Sequence, residues 1–179
     1  MRLFFALCLP PGLAAQLAGL AEVLPGGHAL GEEDLHLTLH FLGELDEPRA
    51  EEAAWAAEAL QAGPVWLRLQ GLGSYGARGR LSLHAVVAPE PGLLGLQDRL
   101  GSRLAGAGLI LPRRRFRPHI TLARGLRGGP ALDRIVAANI GLSPPPVAAR
   151  SFGLFRSWLH ADGARYERLQ DYPLVLPLS

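Results

Sequence analysis

The chain contains no lysine: all 18 of its basic residues are arginine. That absence excludes two nucleotide chemistries. A P-loop needs a lysine ammonium on the phosphates, and an ATP-dependent ligase needs a lysine nucleophile to carry AMP. Cysteine is almost missing too. Cys8 is alone, which rules out an internal disulfide and any multi-cysteine zinc site and fits a reducing cytoplasm. No apolar run is long enough to cross a bilayer, and no glycine-rich dinucleotide fingerprint is present. The stretch from Leu3 to Leu24 behind Arg2 resembles a signal peptide. Pro10-Pro11-Gly12, however, divides it into a strand (2–9) and a leucine-spaced helix (Leu13, Leu17, Leu20, Leu24). We therefore expect a soluble cytoplasmic protein, a monomer by default, whose 179 residues form a single domain with a substantial core.

What the chain does have is a repeated tetrapeptide. His36-Leu37-Thr38-Leu39 returns 83 residues later as His119-Ile120-Thr121-Leu122. Each copy reads as a short alternating strand, in which residues two apart share a face, so each His accompanies its own Thr. Two such strands brought together present two imidazoles and two hydroxyls to one point. The hydroxyls can hold a phosphate while one imidazole acts as base and the other as acid, because His titrates near neutrality.

The arginines are unevenly placed. Arg99, Arg103, Arg113, Arg114, Arg115, Arg117, Arg124 and Arg127 lie in a stretch with no acid between Asp98 and Asp133. The densest part immediately precedes His119. Guanidinium forks match phosphate oxygens and stack on bases, so this stretch suits a polyanion docked beside His119, with Arg117 nearest.

The duplication is wider than the motif. Val65-Trp66-Leu67-Arg68-Leu69-Gln70-Gly71-Leu72 aligns with Val147-Ala148-Ala149-Arg150-Ser151-Phe152-Gly153-Leu154 at an offset of 82. The two matches point to two similar lobes, each a His-x-Thr strand, a helix and a further strand. The helices fall at 48–60 and 130–140. Between the lobes we expect a strand at 81–88 and a helix at 91–107 that buries Leu93, Leu96, Leu100 and Leu104. A last strand runs from about Arg165 to Leu176, and the segments 71–79, 125–130 and 143–146 read as loops. Alternating strands with helices set to one side imply an α+β fold of antiparallel sheets.

HLTLHFLG (36–43) and RPHITLAR (117–124), with RLFFALCLP at the start and FGLFRSWLHADGARYE near the end, resemble the two-histidine (2H) phosphoesterase superfamily. Within it the likeness is to the RNA 2',3'-cyclic phosphodiesterase family, historically called 2'-5' RNA ligases. The resemblance implies a bilobal fold in which two pseudo-two-fold-related antiparallel sheets form a central cleft, each contributing one His-x-Thr motif, with helices packed outside. It implies hydrolysis of RNA 2',3'-cyclic phosphate ends to 2'-phosphomonoesters without metal or nucleotide cofactor, and a reverse reaction that joins RNA 2'-5' without ATP. It assigns His36 as proton donor, His119 as proton acceptor, and Thr38 and Thr121 as phosphate-holding residues. Two departures bear on substrate preference. Relatives often carry an aromatic and Pro-Pro-Glu-Asn where this chain has Ala29-Leu30-Gly31-Glu32-Glu33-Asp34, and Trp where it has His84.

The resemblance also implies substrate contacts from Phe41, stacked on a base, and from Arg124, on the nucleotide or its phosphate. Each lies five residues after its own His. An odd step places both away from the pocket unless the strand twists or bulges. His40, an even step from His36, is expected at the cleft rim. His84 reads either as a site neighbour or as a packed residue, and His28 and His160 as loop residues. A metal held by His36, His40, Glu32, Glu33 and Asp34 is chemically conceivable, but Thr at the middle of the motif is a poor ligand. Two other functions remain open: a nucleotide- or RNA-binding module without turnover, and a 2H phosphodiesterase for another cyclic or 2'-5'-linked nucleotide.

Overall fold

The computed structural model describes residues 1–24, 26–77, 80–160 and 163–175. Among the described residues four α-helices are present: α1 (Pro11–Glu22), α2 (Glu47–Glu58), α3 (Pro91–Gly106) and α4 (Pro130–Ala138). All four carry Pro in the first turn, where a missing N–H costs nothing. Asp46 caps α2 by accepting a hydrogen bond from the Arg49 N–H at 3.0 Å. Leu93, Leu96, Leu100 and Leu104 are fully buried along one side of α3, the face expected from their spacing.

The strands are β1 (Arg2–Cys8), β2 (His28–Ala29), β3 (His36–Glu44), β4 (Val65–Leu67), β5 (Leu69–Tyr75), β6 (Leu81–Val87), β7 (His119–Leu126), β8 (Val147–Ala149), β9 (Ser151–His160) and β10 (Gly163–Pro173). They form two four-stranded sheets, ordered β10-β9-β1-β3 and β2-β7-β6-β5, and a two-stranded ribbon β4-β8. All pairings are antiparallel. The fold is α+β, as expected.

The duplicated halves are interleaved rather than stacked end to end. From β3 in the first sheet the chain passes through α2 to β5 in the second. From β7 in the second sheet it passes through α4 to β9 in the first. The expectation that each repeat builds its own lobe is therefore corrected: each lends its further strand to the opposite sheet. The copies meet in the ribbon, where Val65, Trp66 and Leu67 pair with Ala149, Ala148 and Val147. The local two-fold lies at the Trp66–Ala148 pair.

Three further expectations change. Gly71–Tyr75 belongs to β5, not to a loop, and Gly125 lies inside β7. Gly71 adopts φ +86°, and a Cβ there would fall 2.7 Å from the Ile140 carbonyl oxygen. Glycine marks a close backbone approach at this point, not a break in the sheet. His28 sits in β2 and His160 ends β9. Gly79 and Leu176, the expected ends of a loop and of the last strand, lie outside the described residues. The core joins both sheets through Leu3, Phe5, Leu7, Leu37, Leu83, Ile120, Leu122 and Phe152, all fully buried. Hydrocarbon continuous across both sheets holds β3 and β7 side by side.

Candidate active site

His36 opens β3 and His119 opens β7, so the two motifs stand on neighbouring strands of different sheets. Each ring is set by the same local device. His36 Nδ1 lies 2.7 Å from the Asp34 carbonyl oxygen, and His119 Nδ1 lies 2.7 Å from the Arg117 carbonyl oxygen. A carbonyl only accepts, so Nδ1 carries the proton and donates in both cases, leaving both Nε2 atoms unprotonated in the neutral rings. No sequence pattern pointed to these carbonyls, although both come from the residue two before the histidine.

The strand register decides what shares a face with the motifs. On β3, His36 pairs with Cys8 and Thr38 with Ala6. One extra residue then enters at Leu39, so Phe41 pairs with Phe4. Residues directly opposite each other share a face, and Phe4, Ala6 and Cys8 alternate along β1. The extra residue thus moves Phe41 onto the face of His36 and Thr38. On β7, His119 pairs with Val86 and Thr121 with His84, and an extra residue at Leu122 sets Ala123 opposite Leu83. Arg124, next in line, thereby joins the face of His119 and Thr121. Both bulges occupy the fourth position of the motif. A second slip follows in each strand near Gly43 and Gly125, whose φ values of +76° and +68° favour glycine.

The bulge at Leu39 acts on His40 in the opposite sense. His40 pairs with Phe5 on the other face, its Nε2 bonds the Gln97 carbonyl of α3 at 2.7 Å, and a Cβ on Gly101 would fall 2.9 Å from its ring. It borders the cavity described below, but not through the even step that suggested it. The ring is anchored to α3.

A cavity of about 300 Å³ opens between the sheets; of the predicted site residues Thr38, His40, Phe41, Arg117 and His119 line it, with Tyr75, Arg114, Arg115 and Phe116, while His36, Thr121 and Arg124 are not part of its lining. That volume is at the lower end for small-molecule sites. Phe41 is 53% exposed, and Arg114, Arg115, Arg117 and Arg124 are exposed. None of these four arginines makes an ion pair with a described carboxylate. The Arg-rich segment expected beside His119 is thus part of the cavity wall.

The surroundings of the two imidazoles differ. His36 is packed by Phe4 and Tyr166, both with ring centroids at 4.9 Å, and by Phe155 at 5.9 Å. Burial pushes its pKa down to about 4, opposed by the bond to Asp34 and reinforced by the charges of Arg124 and His119. His119 sits edge-on to Tyr75 and His84, at 5.7 and 5.4 Å. Of these aromatic neighbours only His84 was singled out by residue in the sequence; Phe4, Phe155 and Tyr166 lie within the segments that carry the resemblance, but they come from β1, β9 and β10 and follow no common spacing. No three of the described His, Cys, Asp and Glu side chains gather as a metal-binding group, and Glu32, Glu33 and Asp34 lie in a 3-10 turn just before β3.

Comparison with known proteins shows the family and the fold. The family model for the 2'-5' RNA ligase superfamily matches residues 9–157. The chain belongs to that superfamily. Among relatives of the superfamily, an RNA 2',3'-cyclic phosphodiesterase of Escherichia coli K12 is 31% identical to it, over 97% of each chain. The crystal structure of E. coli LigT complexed with 3'-AMP superposes with a TM-score of 0.76 at 28% identity, covering 97% of each chain. The structure of TT0787 of Thermus thermophilus gives the same TM-score and identity over 99% of this chain and 100% of that one. No described helix is long and apolar enough to cross a membrane.

Proposed function

We propose that this 2'-5' RNA ligase superfamily member is a metal-independent RNA 2',3'-cyclic phosphodiesterase and that residues 1–179 act as one domain whose two lobes each supply a His-x-Thr motif. The observation that carries the reading is the matched pair of Nδ1–H bonds to carbonyls. They leave two Nε2 atoms on adjoining strands, each with a threonine on its own face. His119 takes a proton from water as the water oxygen bonds to phosphorus. The P–O3' bond breaks, the 3' oxygen receives a proton from His36, and a 2'-phosphomonoester remains. Thr38 and Thr121 donate hydrogen bonds to the non-bridging oxygens as charge builds on them. Phe41 stacks on a base, Arg124 and Arg117 meet phosphate, and His40 borders the same cavity. With an RNA 5'-hydroxyl in place of water, the same two proton transfers join ends 2'-5' without ATP.

His36 is neutral in the free protein at pH 7, so its role as acid depends on substrate. The phosphate anion supplies the counter-charge that lets the buried ring hold a proton beside Arg124 and His119.

The test is to incubate the purified protein in excess EDTA with an RNA ending in a 2',3'-cyclic phosphate and to identify the product end. A 2'-phosphate is expected. His36→Ala and His119→Ala are each expected to lose about 10²- to 10⁴-fold in rate while keeping the parental circular dichroism spectrum. Near-parental turnover by either variant, or dependence on added metal, overturns the mechanism.

A further inference from the structure

His84 is the one polar side chain buried to 2% exposure among the described residues, and the two-histidine chemistry does not use it. It sits in the middle of a three-strand register, opposite Thr121 on β7 and opposite Gly73 on β5. Gly73 is required by this packing, since a Cβ there would fall 2.8 Å from His84 Nε2. Above His84 lies Tyr75, stacked on it with ring centroids 4.0 Å apart and planes 7° from parallel. His119 meets both members of the stack edge-on, at interplanar angles of 77° and 73°.

The outer ring of this stack belongs to the cavity. Tyr75 is 44% exposed and lines the same wall as His119, while Phe41, also exposed, enters from the other sheet. An aromatic face presented at a cationic cavity suits a nucleobase, since every base has a π-face to stack. His84 is not among the residues that line the cavity, and its Nδ1 is enclosed without a hydrogen-bond partner. An aliphatic side chain would fill the space without that desolvation cost. What the flat imidazole gives is a plane for Tyr75 to lie on.

We propose that Tyr75 is a nucleobase-stacking residue on the His119 side of the cleft, and that His84 is a positioning residue that sets the plane of the Tyr75 ring. The inference rests on the reading of the cleft as a nucleotide site, and it extends base recognition from β3 to the opposite sheet.

The test compares a base-bearing substrate, adenosine 2',3'-cyclic phosphate, with a baseless one, glycerol 1,2-cyclic phosphate. Tyr75→Ala is expected to raise KM for the nucleotide about 5- to 100-fold, the range for one lost base–aromatic stack, with a loss on the glycerol ester at least about fivefold smaller. Tyr75→Phe and Tyr75→Trp retain binding. His84→Ala raises the nucleotide KM in the same direction with kcat nearly kept, and His84→Phe, which restores a flat ring of similar size, recovers it. Parallel titrations with 2'-AMP read binding without turnover. Tyr75-dependent 2'-AMP binding in a protein that hydrolyses neither ester supports the stacking role while removing the hydrolase reading. Hydrolysis with a nucleotide KM indifferent to Tyr75→Ala, or equal losses on both esters, overturns the inference. A His84→Phe variant that folds but binds no better than His84→Ala overturns the positioning role.

Discussion

The titration of His36 offers the sharpest check on the site. Its ring is enclosed by Phe4, Phe155 and Tyr166, and burial with the Arg124 and His119 charges takes it from 6.5 to about 4. One pH unit is about 1.4 kcal/mol, so protonating this ring in the free protein costs about 3 kcal/mol more than protonating an exposed imidazole. At pH 7 only about one free molecule in 10³ carries that proton. With His36 as acid, the share of the free protein that carries this proton falls about tenfold per pH unit above about pH 4. On the proposed mechanism a bound phosphate anion stabilises the protonated ring and moves its titration to higher pH. The same shift is a stability statement. The unfolded chain takes up this proton below about pH 6.5 and the native state only near 4, so stability is complete above 6.5 and declines by about 3 kcal/mol as the pH falls through that window. Ring-nitrogen NMR from pH 3.5 to 8, alone and with 2'-AMP, reads both states directly. Arg124→Gln removes one of the two cations and moves the free-protein value upward, by less than burial moved it down. A free His36 that titrates near 6.5, or one unmoved by 2'-AMP, refutes the account.

Two other outcomes are expected. Phe41→Ala and Arg124→Ala each raise KM for an RNA cyclic phosphate, the first by about 5- to 100-fold as a lost base stack; unchanged values in both would remove them from the site. His84, also held near 4 by burial and by the His119 charge, adds acid lability in the same sense as His36. His84→Phe therefore flattens the fall in urea midpoint between pH 7.5 and pH 4.5, and a fall as steep as the parent's rules this out.

The candidate site residues were legible because a motif is local. His-x-Thr on an alternating strand places imidazole and hydroxyl together whatever the rest of the chain does. The leucines of α3 and the proline-led helices likewise follow from 3.6-residue periodicity and φ locked by a ring. Three arginines of the acid-free stretch, Arg114, Arg115 and Arg117, fall on one cavity wall, and charge density of that kind is visible without coordinates.

What the sequence by itself determined is thus the pair of motifs, the helices and the antiparallel α+β class. The tertiary structure alone decided which sheet each repeat's second strand joins, where an extra residue enters β3 and β7, and hence which face Phe41, His40 and Arg124 occupy. It also decided that glycines 71 and 73 sit in a strand and that Phe4, Tyr75, His84, Phe155 and Tyr166 surround the imidazoles. The physical reason is that a strand's register is set by its partners, here residues far off in the chain, such as Cys8 for His36 and Val86 for His119. A single-residue slip in that pairing reverses every face beyond it, and nothing in the local side-chain pattern records the slip.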